Sequence, residues 1–248
     1  MSKEFSTLMG YLGEMHARYL DALAVFSVYE SLRELRAPNH IGQEESDKNA
    51  EMMSMFRHFF KPVEEATLRW AALELAKIFD GHRDSVAIPS VLRYIEGNGR
   101  HLTREDFREF NPGRPYLENL YEHYEGVQKV DIEKIRKWMD DHKDLLEKFK
   151  EFRDSHLAHS DKKRTSVTIT FDEVRALLAF AEETLNFLSD KLNSSQTLYS
   201  SVKRDAFNDT KSLLDHLLRF EPYRMKEIQE EFENRNRSAT KKLGDETE

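Results

Sequence analysis

Between Thr7 and Leu35 the chain holds no proline and repeats apolar residues at helical spacing: Leu8, Leu12, Met15, Tyr19, Leu23, Phe26 and Tyr29. A strand alternates its faces every second residue, so a period near 3.6 sustained over so long a stretch fits only a helix. Breakers are scarce elsewhere too, with 9 Gly and 6 Pro in 248 residues. With 34% charged residues, that scarcity favours long solvated helices over a turn-rich β architecture. The 39% hydrophobic content, with 16 Phe and 9 Tyr, is enough for a sizeable core. An all-α fold is therefore expected.

Other classes fall away on composition. The chain has no cysteine, which excludes disulfides and thiolate metal sites. A formal net charge of −8 argues against binding nucleic acid by bulk electrostatics, so such a role needs a local basic patch. The first residues, Met1 to Phe5, open with charge and lack the apolar core of a secretory signal. The longest apolar runs, such as Ala22 to Phe26, fall far short of the roughly 20 residues of a membrane span. A cytoplasmic protein with no membrane partner is expected.

The first helix should stop at Ala37-Pro38-Asn39, followed by a polar loop from Ile41 to Lys48 and a short segment rich in Met and Phe, Met52 to Phe60. Lys61-Pro62 reads as a helix start, with Glu64 and Glu65 in the first turn and Asp80-Gly81 as the stop. Residues 82 to 130 carry most of the remaining Pro and Gly and predict short helical pieces. From Asp131 to about His156 the helical pattern meets no breaker. Ser166 to Phe171 alternates like a short strand or extended link, and Thr170 with Glu173 forms a capping box opening a helix to about Leu192. One or two further helices should follow Asn193-Ser194-Ser195, and the polar stretch from Asn234 to Glu248 reads as a disordered tail.

The stretch with chemistry is Arg153-Asp154-Ser155-His156-Leu157-Ala158-His159. On a helical wheel with Leu145 at zero, Phe149 falls at about 40°, Phe152 at about −20°, His156 at about 20° and His159 at about −40°. The histidines thus continue an apolar stripe, with Arg153 on its flank at about 80°. Ionisable groups on a face patterned for burial cost free energy unless paired or wet, so the stripe should open onto a cleft or an interface. A lone histidine there is more often a satisfied core residue, which is the reading for His156. His156 and His159 could be half a metal site, but no Glu-x-x-His pair stands elsewhere to complete it, so no metal and no cofactor is expected. Glu74, flanked by Leu73 and Leu75, reads as the partner of Lys77 one turn along.

Arginine, a polar residue, then histidine near a helix end of an all-α chain resembles the motif of the HEPN superfamily. Arg153, Asp154 and His159 match it with five intervening residues, whereas His156 stands too close to Arg153. The run Phe149 to Asp161 is similar to the abortive-infection (Abi U type) branch in particular. Ala71 to Asp80 resembles that branch's upstream block, and the capped helix from Phe171 its third. The implied architecture is a HEPN-like helical bundle with additional helices: residues 1–192 as the bundle, 193–233 as a C-terminal helical extension and 234–248 as the tail.

The resemblance implies metal-independent cleavage of RNA in phage defence or as a toxin, or, alternatively, a non-catalytic HEPN-like module that binds nucleotide, RNA or a protein partner. His159 would be the acid or base, since an imidazole titrating near neutrality can take the 2′-hydroxyl proton or give one to the leaving oxygen. Arg153 would clamp the phosphate through paired hydrogen bonds. Asp154 is expected to orient the histidine or the arginine, although at about 180° on the wheel it also reads as a solvated carboxylate. Lys162, Lys163 and Arg164 supply a local basic excess for an RNA backbone, as would any solvated loop. A homodimer is expected, because one copy brings one motif histidine to two proton transfers and a two-fold axis would bring a second. An antitoxin or regulatory protein is a further partner that such a family admits. Ser160 and Asp161 stand where some HEPN toxins carry a tyrosine targeted for inactivation, so that control gains no support.

Overall fold

The structure is a computed structural model describing residues 1–157 and 167–245. Among the described residues there are eleven α-helices, one 3₁₀ turn and no strand. The helices are α1 (Lys3–Glu34), α2 (Pro38–Ile41), α3 (Gln43–Met55), α4 (Arg57–Ile78), α5 (Ile88–Asn98), α6 (Arg104–Phe110), α7 (Leu117–Glu122), α8 (Lys129–Asp141), α9 (Lys143–Leu157), α10 (Phe171–Asn193) and α11 (Ser200–Asp245). The expected all-α bundle is what the chain forms. No described helix is long and apolar enough to cross a membrane.

The chain divides into two compact units, residues 1–29 with 64–204, and residues 30–63 with 205–248. These limits differ from the sequence-based division at 192 and 233, because residues 30–63 group with the C-terminal part.

In the first unit, the stripe of α1 is buried from Leu8 to Phe26 and packs with Ala71, Leu75 and Ile78 of α4. Leu177, Ala181, Leu185 and Leu188 of α10 complete the centre, joined by Phe149 and Phe152 of α9. Thr170 caps α10 as expected: its Oγ1 accepts from the Glu173 N–H at 3.3 Å, and its own N–H donates to Glu173 Oε2 at 2.8 Å. Lys148 of α9 donates to Glu173 Oε1 at 2.5 Å, so the cap also anchors the neighbouring helix. From Val167 to Thr170 the chain is an extended link and not a strand, while Ser166 lies outside the described residues.

The unbroken helix expected from Asp131 to His156 is two helices, α8 and α9, meeting at His142. No Gly or Pro causes the break. The His142 ring stacks on Phe180 at 4.3 Å and 4°, and its Nδ1–H donates to the Trp138 carbonyl at 2.8 Å. The break thus coincides with a tertiary contact from α10, which local pattern does not register.

In the second unit, the expected loop from Ile41 to Lys48 is largely helix α3. Its polar residues satisfy the carbonyls left open at the end of α1: Asn49 Nδ2 donates to Leu35 O at 2.9 Å, and Ser46 Oγ to Arg36 O at 3.3 Å. Glu44 and Glu45 in its first turn suit the helix dipole. Helix α4 begins at Arg57, so Pro62 lies inside it instead of opening it. In α11, Lys211 pairs with Glu45 at 2.5 Å. The stretch from Asn234, expected as a disordered tail, is helix as far as Asp245, and the Arg235–Glu231 pair at 3.6 Å supports that last part.

Candidate active site

Helix α9 carries Phe149 and Phe152 into the core at 1% and 5% exposure, and this packing fixes the rotation of the helix. Arg153, one residue on, is thereby held at the edge of the core with 13% of its side chain exposed. Two carboxylates hold the guanidinium. Nη1 reaches Asp80 Oδ2 at 2.9 Å, while Nε and Nη2 donate to Asp154 Oδ1 at 2.9 and 2.8 Å. Three of the five guanidinium N–H groups are used in this way.

Asp80 follows the end of α4 and is itself positioned: the His82 N–H donates to its Oδ1 at 3.1 Å, and Ser85 Oγ donates to its carbonyl at 3.3 Å. Burial pushes the Asp80 carboxyl up, but the His82 and Arg153 bonds outweigh it and hold its pKa below the ordinary 3.8. Burial likewise disfavours the Arg153 cation, and the bonds to Asp154 and Asp80 more than restore it, so its pKa lies above the ordinary value. The group is a fixed cation at every pH of interest.

Arg153 stands at one end of a cleft of about 350 Å³ formed by the end of α4, the α8–α9 junction and one face of α9. Its walls are apolar, with Phe79, Pro89, Met139, Leu146 and Phe149. Lys143, Glu147 and Lys150 of α9 and Asp140 of α8 supply its charged rim. The α8–α9 junction contributes Met139, Asp140 and Lys143 to the lining, and Pro89 of α5 and Leu177 of α10 also border it.

Of the residues expected at the site, Arg153 lines this cleft, and Asp154 is joined to it only through the guanidinium. Asp154, 54% exposed, points outward as its wheel position implies, yet its carboxylate folds back onto the neighbouring guanidinium. His159, Lys162, Lys163 and Arg164 lie outside the described residues. Asp80 was not among the expected site residues, because Asp80-Gly81 reads simply as a helix stop. The available signal was its place as the last residue of the block Ala71 to Asp80. Glu74 does pair with Lys77, at 2.6 Å.

The chain matches the AbiU2 family of HEPN proteins over residues 6–219. This chain belongs to that family. The match takes in α4, the whole of α9 and the beginning of α11, so the cleft and Arg153 fall inside the part that defines the AbiU2 proteins. No curated protein and no solved structure matches it.

Proposed function

We propose that this AbiU2 protein is a metal-independent HEPN-type endoribonuclease acting in phage defence or as a toxin. The observation that carries the reading is Arg153, a cation lining a cleft and held by two carboxylates, with two of its N–H groups not engaged by them among the described residues. Asp80 and Asp154 keep the guanidinium from swinging away, and preorganised donors of this kind stabilise charge that grows on a phosphate oxygen. His159, six residues on, is the general acid or base. Lys162, Lys163 and Arg164 hold the RNA backbone, and the active species is a cytoplasmic homodimer that shares Arg153 and His159 across its axis.

One observation favours a second reading, a non-catalytic module. Two carboxylates around one guanidinium leave the cluster with a net negative charge, which opposes an incoming phosphate unless a second cation joins it. The deciding experiment is growth of cells expressing the wild-type chain beside the His159→Ala chain, with total RNA from each resolved on a gel. Wild-type toxicity with RNA breakage, both lost in His159→Ala, is the expected result. Intact RNA in both, at equal soluble expression, would leave the binding module.

A further inference from the structure

Four features of the cleft are independent of the motif arginine. Its walls are largely apolar, from Phe79, Met139, Leu146 and Phe149. Its volume of about 350 Å³ lies at the small end of ligand sites, room for one heterocycle and not for a helix or a strand. Lys150 lines it with no ion-pair partner among the described residues, while Lys143 is engaged with Glu147 at 3.8 Å. Asp140, the fourth feature, lies in the last turn of α8, where the helix dipole disfavours an anion and where no basic residue of the helix compensates. Its neighbour Asp141 is satisfied by Lys137 at 3.5 Å, whereas Asp140 has no ion-pair partner among the described residues. A carboxylate retained at an unfavourable helix end, on the rim of an apolar cleft, is placed to accept hydrogen bonds from a ligand.

An apolar cleft lined also by a carboxylate, Asp140, and by the cations Lys150 and Arg153 offers a partner for each part of a nucleotide. Bases are read in this way when single-stranded RNA splays them out of the stack, since duplex RNA hides its base edges in a narrow groove. We infer that the cleft is a base-binding subsite for one unstacked guanine of single-stranded RNA, the guanine on the 5′ side of the phosphate that Arg153 engages. Guanine fits Asp140 best: its N1–H and amino group are adjacent donors that a carboxylate accepts in parallel, while uracil turns a carbonyl to each side of its single N–H. Lys150 screens the phosphate, and Leu146 and Met139 cover the ring. The inference rests on the ribonuclease reading for the identity of the phosphate, and the subsite itself is measured without cleavage.

The test is calorimetric titration of the full chain with guanosine 3′-monophosphate, uridine 3′-monophosphate and guanosine. The guanine nucleotide should bind about tenfold more tightly than the uracil one, within the range of a two-bond contact to a base edge. Asp140→Asn should remove that gap. Arg153→Ala should weaken the nucleotide and leave guanosine unchanged. Leu146→Trp, which fills the slot from a half-buried wall, should abolish binding of all three, and Met139→Trp is the second filling variant if the first melts early. Equal binding of both nucleotides, binding that survives a folded filling variant, or no heat at millimolar nucleotide would each overturn the subsite. Cleavage of mixed-sequence RNA, assayed in parallel, separates the two ideas. Selective binding without cleavage keeps the subsite and sinks the ribonuclease reading, and cleavage without base preference or nucleotide binding does the reverse.

Discussion

Changing Arg153 to Ala separates a functional cation from a structural one. The side chain is 13% exposed and its partner Asp80 20%, so the pair is neither a surface bridge nor a fully desolvated one. Exposed pairs contribute about 0–1 kcal/mol. Cutting one partner of a buried pair costs about 3–5 kcal/mol, because a charge is stranded. Here Asp80 keeps its His82 N–H bond and some solvent, and Asp154 is 54% exposed and loses little, so the cost should be about 1–2 kcal/mol. For a chain of this length that is a fall of about 3–6 °C in Tm by calorimetry. The gap should also depend on pH. The Asp80 pKa is depressed in the folded state, so its contribution is complete above the ordinary 3.8 and is lost as pH falls through the lower folded value. Wild type and Arg153→Ala should therefore converge in stability as pH falls from the ordinary 3.8 through the lower folded value of Asp80. RNA cleavage by the variant should be lost altogether at a temperature where it is fully folded. A loss of more than about 4 kcal/mol, or cleavage that survives in the folded variant, would refute the reasoning and make Arg153 a structural residue.

His156→Ala should lower the melting temperature and keep cleavage, whereas His159→Ala should do the opposite; a reversal of the two phenotypes would exchange the roles of the histidines. Cleavage should persist in excess chelator and leave 2′,3′-cyclic phosphate ends, and a magnesium-dependent 5′-phosphate product would rule out the mechanism. Sedimentation at micromolar concentration should give about twice the 29.3 kDa chain mass, and a chain that stays monomeric while cleaving at full rate would remove the shared site. Thr170→Ala should cost about 1 kcal/mol in denaturant titration, the usual value of an N-cap, and an unchanged midpoint would mean that the Lys148–Glu173 bond alone holds the junction.

What could be read from the sequence was what local chemistry decides. The α1 stripe, the α10 capping box and the burial of Phe149 and Phe152 each follow from residues a few positions apart, and each is found. The misread segments answer to distant partners. Polar residues in α3 look like a loop until Ser46 and Asn49 are seen to donate to the end of α1. Pro62 signals a helix start, yet α4 begins at Arg57 and runs through it, forgoing the hydrogen bond that an N–H at this position would give to His58.

The site divides along the same line. Arg153 and Asp154 were legible because they are adjacent in the chain and share a motif. Asp80 was not, since it meets Arg153 only through the packing of α4 against α9, and a carboxylate before glycine has an adequate local explanation as a helix stop. The cleft was the least legible feature. Part of its lining comes from a turn at His142 that no breaker announces and where the ring stacks on Phe180. With α8 and α9 continuous, Asp140 and Lys143 would be two exposed residues of one long helix, with no slot between α4 and α9 for them to flank. The junction where His142 stacks on Phe180 thus supplies Met139, Asp140 and Lys143 to the pocket that Arg153 lines. Replacing His142 with Ala should accordingly weaken nucleotide binding more than it weakens the fold, and a variant that loses stability but binds nucleotide as before would show that the slot is set by α4 and α9 without the turn.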